Sequence, residues 1–260
     1  MHKVSSKPPN IDWNNWIERW DKMQQGYLPW REHSYKLMFN AIEFWLPDNF
    51  VALDLACGPG SISSRLLNRF SNAQSIGVDF DPVLLAIGQN TMGSAGDRMK
   101  WIKADIRETS WVQSLPVEKV DVILSSTALH WLGPNELIAL YMQLGNLLLP
   151  GGLFLNADEM RPSSSQIWPF FHKWSRQAWA NMFSEPDSES WEDYWKAIAD
   201  ESGFKEYYEE HISLMGTQHC SSDAWGASYP LHASMLQAAG FQAVETLWQD
   251  GIERVILAIR

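Results

Sequence analysis

Asp54, Gly58 and Gly60 stand close together in Val51-Ala52-Leu53-Asp54-Leu55-Ala56-Cys57-Gly58-Pro59-Gly60-Ser61. An acid followed by a Gly-x-Gly turn is suited to cradling a ligand. The two glycines let the backbone turn tightly and leave no Cβ between it and a bound group. The residues before them form a short apolar run, as a buried parallel strand does. A helix opening near Ser61 aims its N-terminal amides at whatever lies over the turn. Nucleotide-like cofactors bind in such a place, above the carboxyl ends of strands in an open α/β sheet.

Further chemistry-bearing residues recur at similar places. Asp79 closes the apolar run Gln74–Asp79, and Asp105 follows the run Lys100–Ala104. A strand-end acid can accept hydrogen bonds from sugar hydroxyls, as in dinucleotide sites; it can also simply cap the next helix. Ser125-Ser126-Thr127-Ala128-Leu129-His130-Trp131 follows a fourth apolar run and is expected to line the same cleft. His130 is the candidate general base there, the alternative being a neutral imidazole held by a backbone carbonyl. Asp158 and His172 are weaker candidates. Trp131 offers an aromatic face to a cation or packs beneath a lid. Cys57 reads as a small buried thiol. No group of residues is assigned to a metal.

These residues need a scaffold, and the pattern supplies one. The spacing predicts strands at Phe50–Ala56, Gln74–Asp79, Lys100–Ala104, Val120–Ser126 and Leu153–Ala157. Helices follow at Ser61–Phe70, Pro82–Met92, Thr109–Leu115 and Pro134–Leu148, the last ended by Pro150-Gly151-Gly152. Repeated βα units imply a parallel sheet with helices on both faces. A helix near Leu231–Ala239 then precedes two strands joined at Gln249-Asp250-Gly251. That short turn makes them a hairpin, so the last strand runs antiparallel. Trp13, Trp16 and Trp20 fall on one face of a helix over Ile11–Gln25. A second helix covers about Arg31–Leu46. The stretch Arg161–Ser213 reads as helices with aromatic faces. The expected fold is α/β: a Rossmann-like, seven-stranded, mostly parallel sheet with an antiparallel last strand, plus a helical lid. Residues 1–44 and 158–230 form the lid; 45–157 and 231–260 form the core. The first ten residues read as disordered.

Bulk properties narrow the function. The chain has 260 residues and a net charge of -11. Ten acids face only Lys196 and Lys205 between Ser184 and Glu210, so a polyanion is disfavoured and nucleic acid is not expected as substrate. Such a run is either a solvated helical face or an entrance that favours cations. No apolar run reaches the length of a membrane span, and the N-terminus lacks the apolar core of a signal peptide. With only Cys57 and Cys220, a reducing cytoplasm is the expected compartment. The oligomeric state is not legible.

The ordered set resembles the class I S-adenosylmethionine-dependent methyltransferases of small-molecule type, across roughly residues 45–157 and 231–260. The resemblance implies S-adenosylmethionine as cofactor, leaving S-adenosylhomocysteine. It implies that Ala56, Gly58 and Gly60 hold the methionine end while Asp54 orients its amino group. Asp79 would take the ribose hydroxyls, and Phe80 would pack on the adenine. Asp105 and Ile106 would meet the adenine edge, and Ser125 would lie near the sulfonium. In similar enzymes N-terminal helices close over the cofactor, so Tyr27 and Arg31 would reach its carboxylate, where arginine binds bidentately. Trp20, Trp131 and His172 are assigned to the acceptor pocket. A dehydrogenase fits poorly, since its third glycine position is Ser63. The Asn/Asp-Pro-Pro-aromatic signature of nucleobase amino-methyltransferases is missing at Ser125–Ala128. The acceptor is expected to be a small molecule methylated on a carboxyl or hydroxyl oxygen. The alternatives are a non-catalytic cofactor-binding regulator and an enzyme methylating a protein or carrier-bound acyl group.

Overall fold

A computed structural model describes residues 11–183, 188–215 and 226–260. Outside the described residues fall the first ten positions, Glu185, Asp187, Cys220 and Trp225, with the side chains of Ala178, Trp179 and Met182. Among the described residues, seven strands form one sheet: β1 Val51–Leu55, β2 Gln74–Asp79, β3 Met99–Lys103, β4 Val120–Ser126, β5 Leu148–Glu159, β6 Ala243–Asp250 and β7 Glu253–Ile259. Their order is β3-β2-β1-β4-β5-β7-β6. The first five are parallel, and β7 runs antiparallel to both β5 and β6. The chain turns from β6 into β7 at Gly251, whose φ of +60° suits glycine. The strand order reverses direction between β1 and β4. Ligands bind at such a switch point in open α/β sheets.

The helices are α1 Trp13–Tyr27, α2 Arg31–Trp45, α3 Ser61–Arg69, α4 Pro82–Thr91, α5 Pro134–Leu147, α6 Trp168–Met182, α7 Trp191–Asp200, α8 Lys205–Met215 and α9 Tyr229–Ala238. The sheet separates two apolar layers. One joins Tyr141 and Leu144 of α5 and Leu236 of α9 to Phe154 and Ile256. The other joins Met38 and Ile42 of α2 and Leu66 of α3 to Ala52, Leu124 and Leu257. Among the described residues, no helix is long and apolar enough to cross a membrane.

Two features differ from the sequence reading. The helix after β4 ends at Leu147, before Pro150-Gly151-Gly152 rather than at it, and β5 begins at once. The Pro-Gly-Gly residues are a bulge within that strand, where register shifts between Val120↔Leu148 and Val122↔Leu153. The C-terminal residue holds the bulge: Gly151 N–H donates to the Arg260 carbonyl, and Arg260 N–H to that of Gly152. The tryptophan-rich helices also form a third core. Trp16 and Trp20 of α1, Tyr194, Trp195 and Ile198 of α7, and Phe204 pack on Val83, Leu84 and Ile87 of α4. The stripe on α1 is therefore a packing face. The acids Glu192, Asp193, Glu206, Glu209 and Glu210 are exposed, which is the solvated-face reading of the charge run.

The glycine turn rests on Trp101 of β3. A Cβ at Gly88 of α4 would stand 2.4 Å from the Trp101 ring and 2.7 Å from the Pro59 carbonyl. The backbone oxygen cannot swing away. Gly88→Ala is expected to lower unfolding stability by about 1–3 kcal/mol through overpacking, which chemical denaturation measures.

Candidate functional site

The site is built at the ends of β1, β2 and β4. β1 ends in a turn whose residues Ala56, Gly58 and Gly60 all have positive φ (+49°, +54° and +82°). Thr127, just beyond β4, has φ +52°. Ala56 and Thr127 are strained for non-glycine residues, and such strain gathers at functional sites. They flank the switch point from its two sides. A Cβ on Gly58 would meet its nearest neighbours, Leu84 and Trp20, at 3.7 Å. There is room for it, but at φ +54° a side chain would be strained, so the turn favours bare backbone here.

Three acids surround this turn, each held differently. Asp54 is buried and accepts from Ser63 N–H at 3.1 Å and Ser63 Oγ at 2.7 Å, which ties β1 to α3. Burial pushes its carboxyl up to about 6, against the pull of the Ser63 hydrogen bonds. Asp79 accepts from Gly58 N–H at 2.7 Å and from Asp81 N–H at 2.8 Å. Burial, reinforced by the Asp81 charge, raises Asp79 to about 7. Asp105 is half-buried, and Arg107 grips it bidentately. Burial works against the Asp105 charge, but Arg107 outweighs it and holds the carboxyl below its ordinary value. The Arg107 guanidinium lies 5.8 Å from the centre of the Phe80 ring. Phe80, Asp105 and Arg107 thus form one edge of the site, with half-buried Ile106 alongside. Cys57 is buried, and burial pushes its thiol up, as expected of an inert core thiol.

Several sequence assignments are corrected. Ser125 does not face the cleft: it is buried, and its hydroxyl donates to the Leu55 carbonyl at 3.1 Å. Side chains alternate along a strand, so it is Ser126, with Thr127, that lines the cleft. Arg31 is buried and donates to Asp21 at 2.7 Å and to the Tyr35 hydroxyl at 3.0 Å, so a carboxylate of the chain itself holds it. Asp21 also accepts from Ser61 Oγ and Arg65, which places it at the start of α3. The Tyr27 hydroxyl accepts from Trp191 N–H at 3.0 Å, tying α1 to α7. Trp20 lies over the glycine turn and packs on Trp191 and Tyr194. Trp131 is 62% exposed, so it is not lid-packing core. The His172 ring lies 5.7 Å from that of Trp168, tilted at 47°; of the two, Trp168 lines the cavity beside His130.

His130 is held by a carboxylate and not by a backbone carbonyl. Its Nδ1 lies 2.6 Å from Asp158 Oδ1, and its N–H donates to Asp158 Oδ2 at 3.1 Å. Asp158, considered in the sequence as a base, is instead this buried partner. Burial disfavours the His130 charge, but Asp158 outweighs it and raises the imidazole above its ordinary value. Two cavities adjoin the pair. One has Arg31, Ser126, Thr127, Asp158 and Arg254 in its wall. The other is lined by His130, Glu159, Arg161, Trp168 and Ile252. Glu159 lies opposite Glu253 across β5 and β7 and shares a hydrogen bond with it; burial raises both carboxyls.

Sequence reasoning missed Arg161 and Arg254. Among the described residues, each has a buried Nε–H without a hydrogen-bond partner. Their guanidiniums lie over Trp168 at 5.2 Å and Tyr229 at 4.3 Å. Arg254 is partly satisfied, since its Nη1 donates to Thr246 Oγ1 at 2.7 Å. Buried donors are normally satisfied, so the Arg161 Nε–H, in a side chain that lines one of these cavities, points to an anionic ligand. No motif marks them in the sequence.

Residues 52–152 match the family model of a methyltransferase domain. A trans-aconitate 2-methyltransferase of an Azoarcus species is 30% identical over 108 residues, 42% of this chain and 38% of that protein. One of an Acidovorax species is 26% identical over 177 residues, 68% of this chain and 60% of that protein. The chain thus spans between about two fifths and three fifths of the length of these relatives. Human N-acetylserotonin methyltransferase, solved with its cofactor S-adenosylmethionine, shares the fold with TM-score 0.56 and 14% identity, over 95% of this chain and 57% of that one.

Proposed function

We infer that this chain, a class I S-adenosylmethionine-dependent methyltransferase, transfers the cofactor's methyl group to a carboxyl oxygen of a small acidic molecule. The donor half of the site fits that cofactor. The bare Gly58 cradle and the strained Ala56 suit a methionine end, and Asp79 suits a ribose. Phe80, Ile106 and the Asp105–Arg107 pair suit an adenine edge. Bound there, the cofactor supplies a sulfonium-activated methyl group.

The observation that carries the acceptor assignment is the buried Arg161 Nε–H, without a partner among the described residues, in a side chain that lines the cavity beside His130. A carboxylate satisfies that donor. His130, kept protonated more readily by Asp158, donates to the same anion. Alignment and exclusion of water are what the protein contributes. An ionised carboxyl already presents a lone pair, so no base is required, and His130 acts as a donor. The name of the relatives supports trying trans-aconitate first among acids.

A hydroxyl acceptor is the second reading, because an imidazole backed by a carboxylate also serves as a base. The two separate in one assay. The protein is incubated with methyl-labelled S-adenosylmethionine and a panel of mono- and polycarboxylic acids, phenols and alcohols. Production of S-adenosylhomocysteine with an alkali-labile product that releases methanol is expected. An alkali-stable product would transfer the assignment to a hydroxyl or amine. Cofactor binding without turnover of any acceptor would favour a regulator.

A further inference from the structure

The insertion places a buried polar side chain at the floor of the cofactor site. His211 of α8 is buried, and its Nδ1 lies 2.8 Å from Asp81 Oδ2. Its ring stacks on Trp195 at 4.1 Å and 13°, with Tyr208 also parallel at 5.7 Å. Asp81 uses its other oxygen to cap α4, accepting from Val83 N–H at 2.9 Å and Leu84 N–H at 3.2 Å. Its own N–H donates to Asp79 at 2.8 Å, and Asp79 accepts from Gly58 N–H at 2.7 Å. A continuous line of hydrogen bonds therefore runs from α8, through Asp81 and Asp79, to the glycine turn. A second polar tie, Lys103 to Glu210 at 2.7 Å, is exposed and so contributes little.

We propose that His211 is a positioning residue for the cofactor: by holding Asp81, it fixes the aim of the Asp79 carboxylate and the shape of the Gly58 turn. This rests on the methyltransferase reading for its ligand, but not for its geometry. Asp81 is a carboxylate with a single helix to cap, and a cap needs only one oxygen. The second oxygen, buried, needs a donor of its own. His211 supplies it from an element that the parallel sheet does not require. Packing alone would be met by any ring stacked on Trp195. The Nδ1–H adds direction, and that direction is passed to Asp79. The insertion thereby sets cofactor affinity as well as covering the site.

Three variants separate these roles. His211→Phe keeps the stack and removes the donor; His211→Asn places an amide N–H near the Nδ1 position; His211→Ala removes both. Calorimetry with S-adenosylhomocysteine is expected to show about tenfold weaker binding for His211→Phe, the scale of one buried hydrogen bond to a charged group. His211→Asn is expected to recover to within about threefold, and His211→Ala to be weakest. Amide hydrogen exchange on the free protein supplies an independent readout. Gly58 and Asp81 are expected to exchange faster in His211→Phe and to recover in His211→Asn, while Leu257 of β7 is unchanged. Wild-type affinity and exchange in His211→Phe would overturn the proposal, as would an Asn variant no better than Phe. A wild-type protein that fails to bind S-adenosylhomocysteine would sink the cofactor reading, and exchange at Gly58 would still decide the link to His211.

Discussion

Asp79→Ala is expected to weaken S-adenosylhomocysteine binding about 10- to 150-fold, the equivalent of ~1.5–3 kcal/mol for lost hydrogen bonds to a charged group. The residue acts twice. Its two oxygens hold the Gly58 and Asp81 amides, so alanine loosens the turn proposed to cradle the methionine end. Each oxygen keeps a further lone pair, and two ribose hydroxyls are suited to them. Asn cannot replace it, because one of the two amides would then face an NH₂ group. Unchanged affinity in a folded Asp79→Ala protein would remove the ribose assignment.

The same residue makes binding depend on pH, and the sign follows from its environment. Burial, then the Asp81 charge, lifts Asp79 from 3.8 to about 7 in the folded chain. Between those values the native state holds a proton that the unfolded state has lost. Stability therefore falls as pH rises across that window. Asp54, raised to about 6 mainly by burial, adds to the slope in the lower part of the range. Hydroxyl donors favour the ionised carboxylate, so cofactor affinity is expected to rise from pH 6 to 8 with release of a proton. Calorimetry in buffers of different ionisation enthalpy counts that proton. In Asp79→Asn the rise in affinity is expected to vanish, while the stability slope is reduced but not abolished, since Asp54 remains.

How far the sequence could be read follows from the kind of signal each residue leaves. The limits of β2 and β4 are legible because an apolar run stops at an acid in one and at paired hydroxyls in the other. The antiparallel end of the sheet is legible from Asp250-Gly251. Facing is not: Ser125 and Ser126 are chemically identical, and only the register of β4 against β1 and β5 sends one into the core and the other into the cleft. Partner choice is hidden for the same reason. Arg31 looks available to a ligand until the turn between α1 and α2 brings Asp21 to it. His130 and Asp158 lie 28 residues apart. They meet because β4 and β5 pair Ser126 with Ala157 at their ends. Arg161 has no motif at all. Its signature is an unmet hydrogen bond, which exists only once the chain has folded.

That unmet bond yields the other large expected effect. Arg161→Met is expected to raise the acceptor KM about 10- to 100-fold, by loss of a charge-assisted hydrogen bond of ~1.5–3 kcal/mol. Affinity for S-adenosylhomocysteine should stay within about twofold, because Arg161 lies in the cavity beside His130 and not at the glycine turn. Stability should move the other way. A buried, unsatisfied donor costs roughly 1–3 kcal/mol, and methionine fills similar space against Trp168 without that cost. The variant is therefore expected to unfold at a higher denaturant concentration than wild type. A residue kept for structure loses stability when removed; one kept for a ligand can gain it while activity falls. An Arg161→Met protein that is less stable, with acceptor KM unchanged, would show that the guanidinium serves packing on Trp168. The carboxylate assignment would then lose the observation on which it stands.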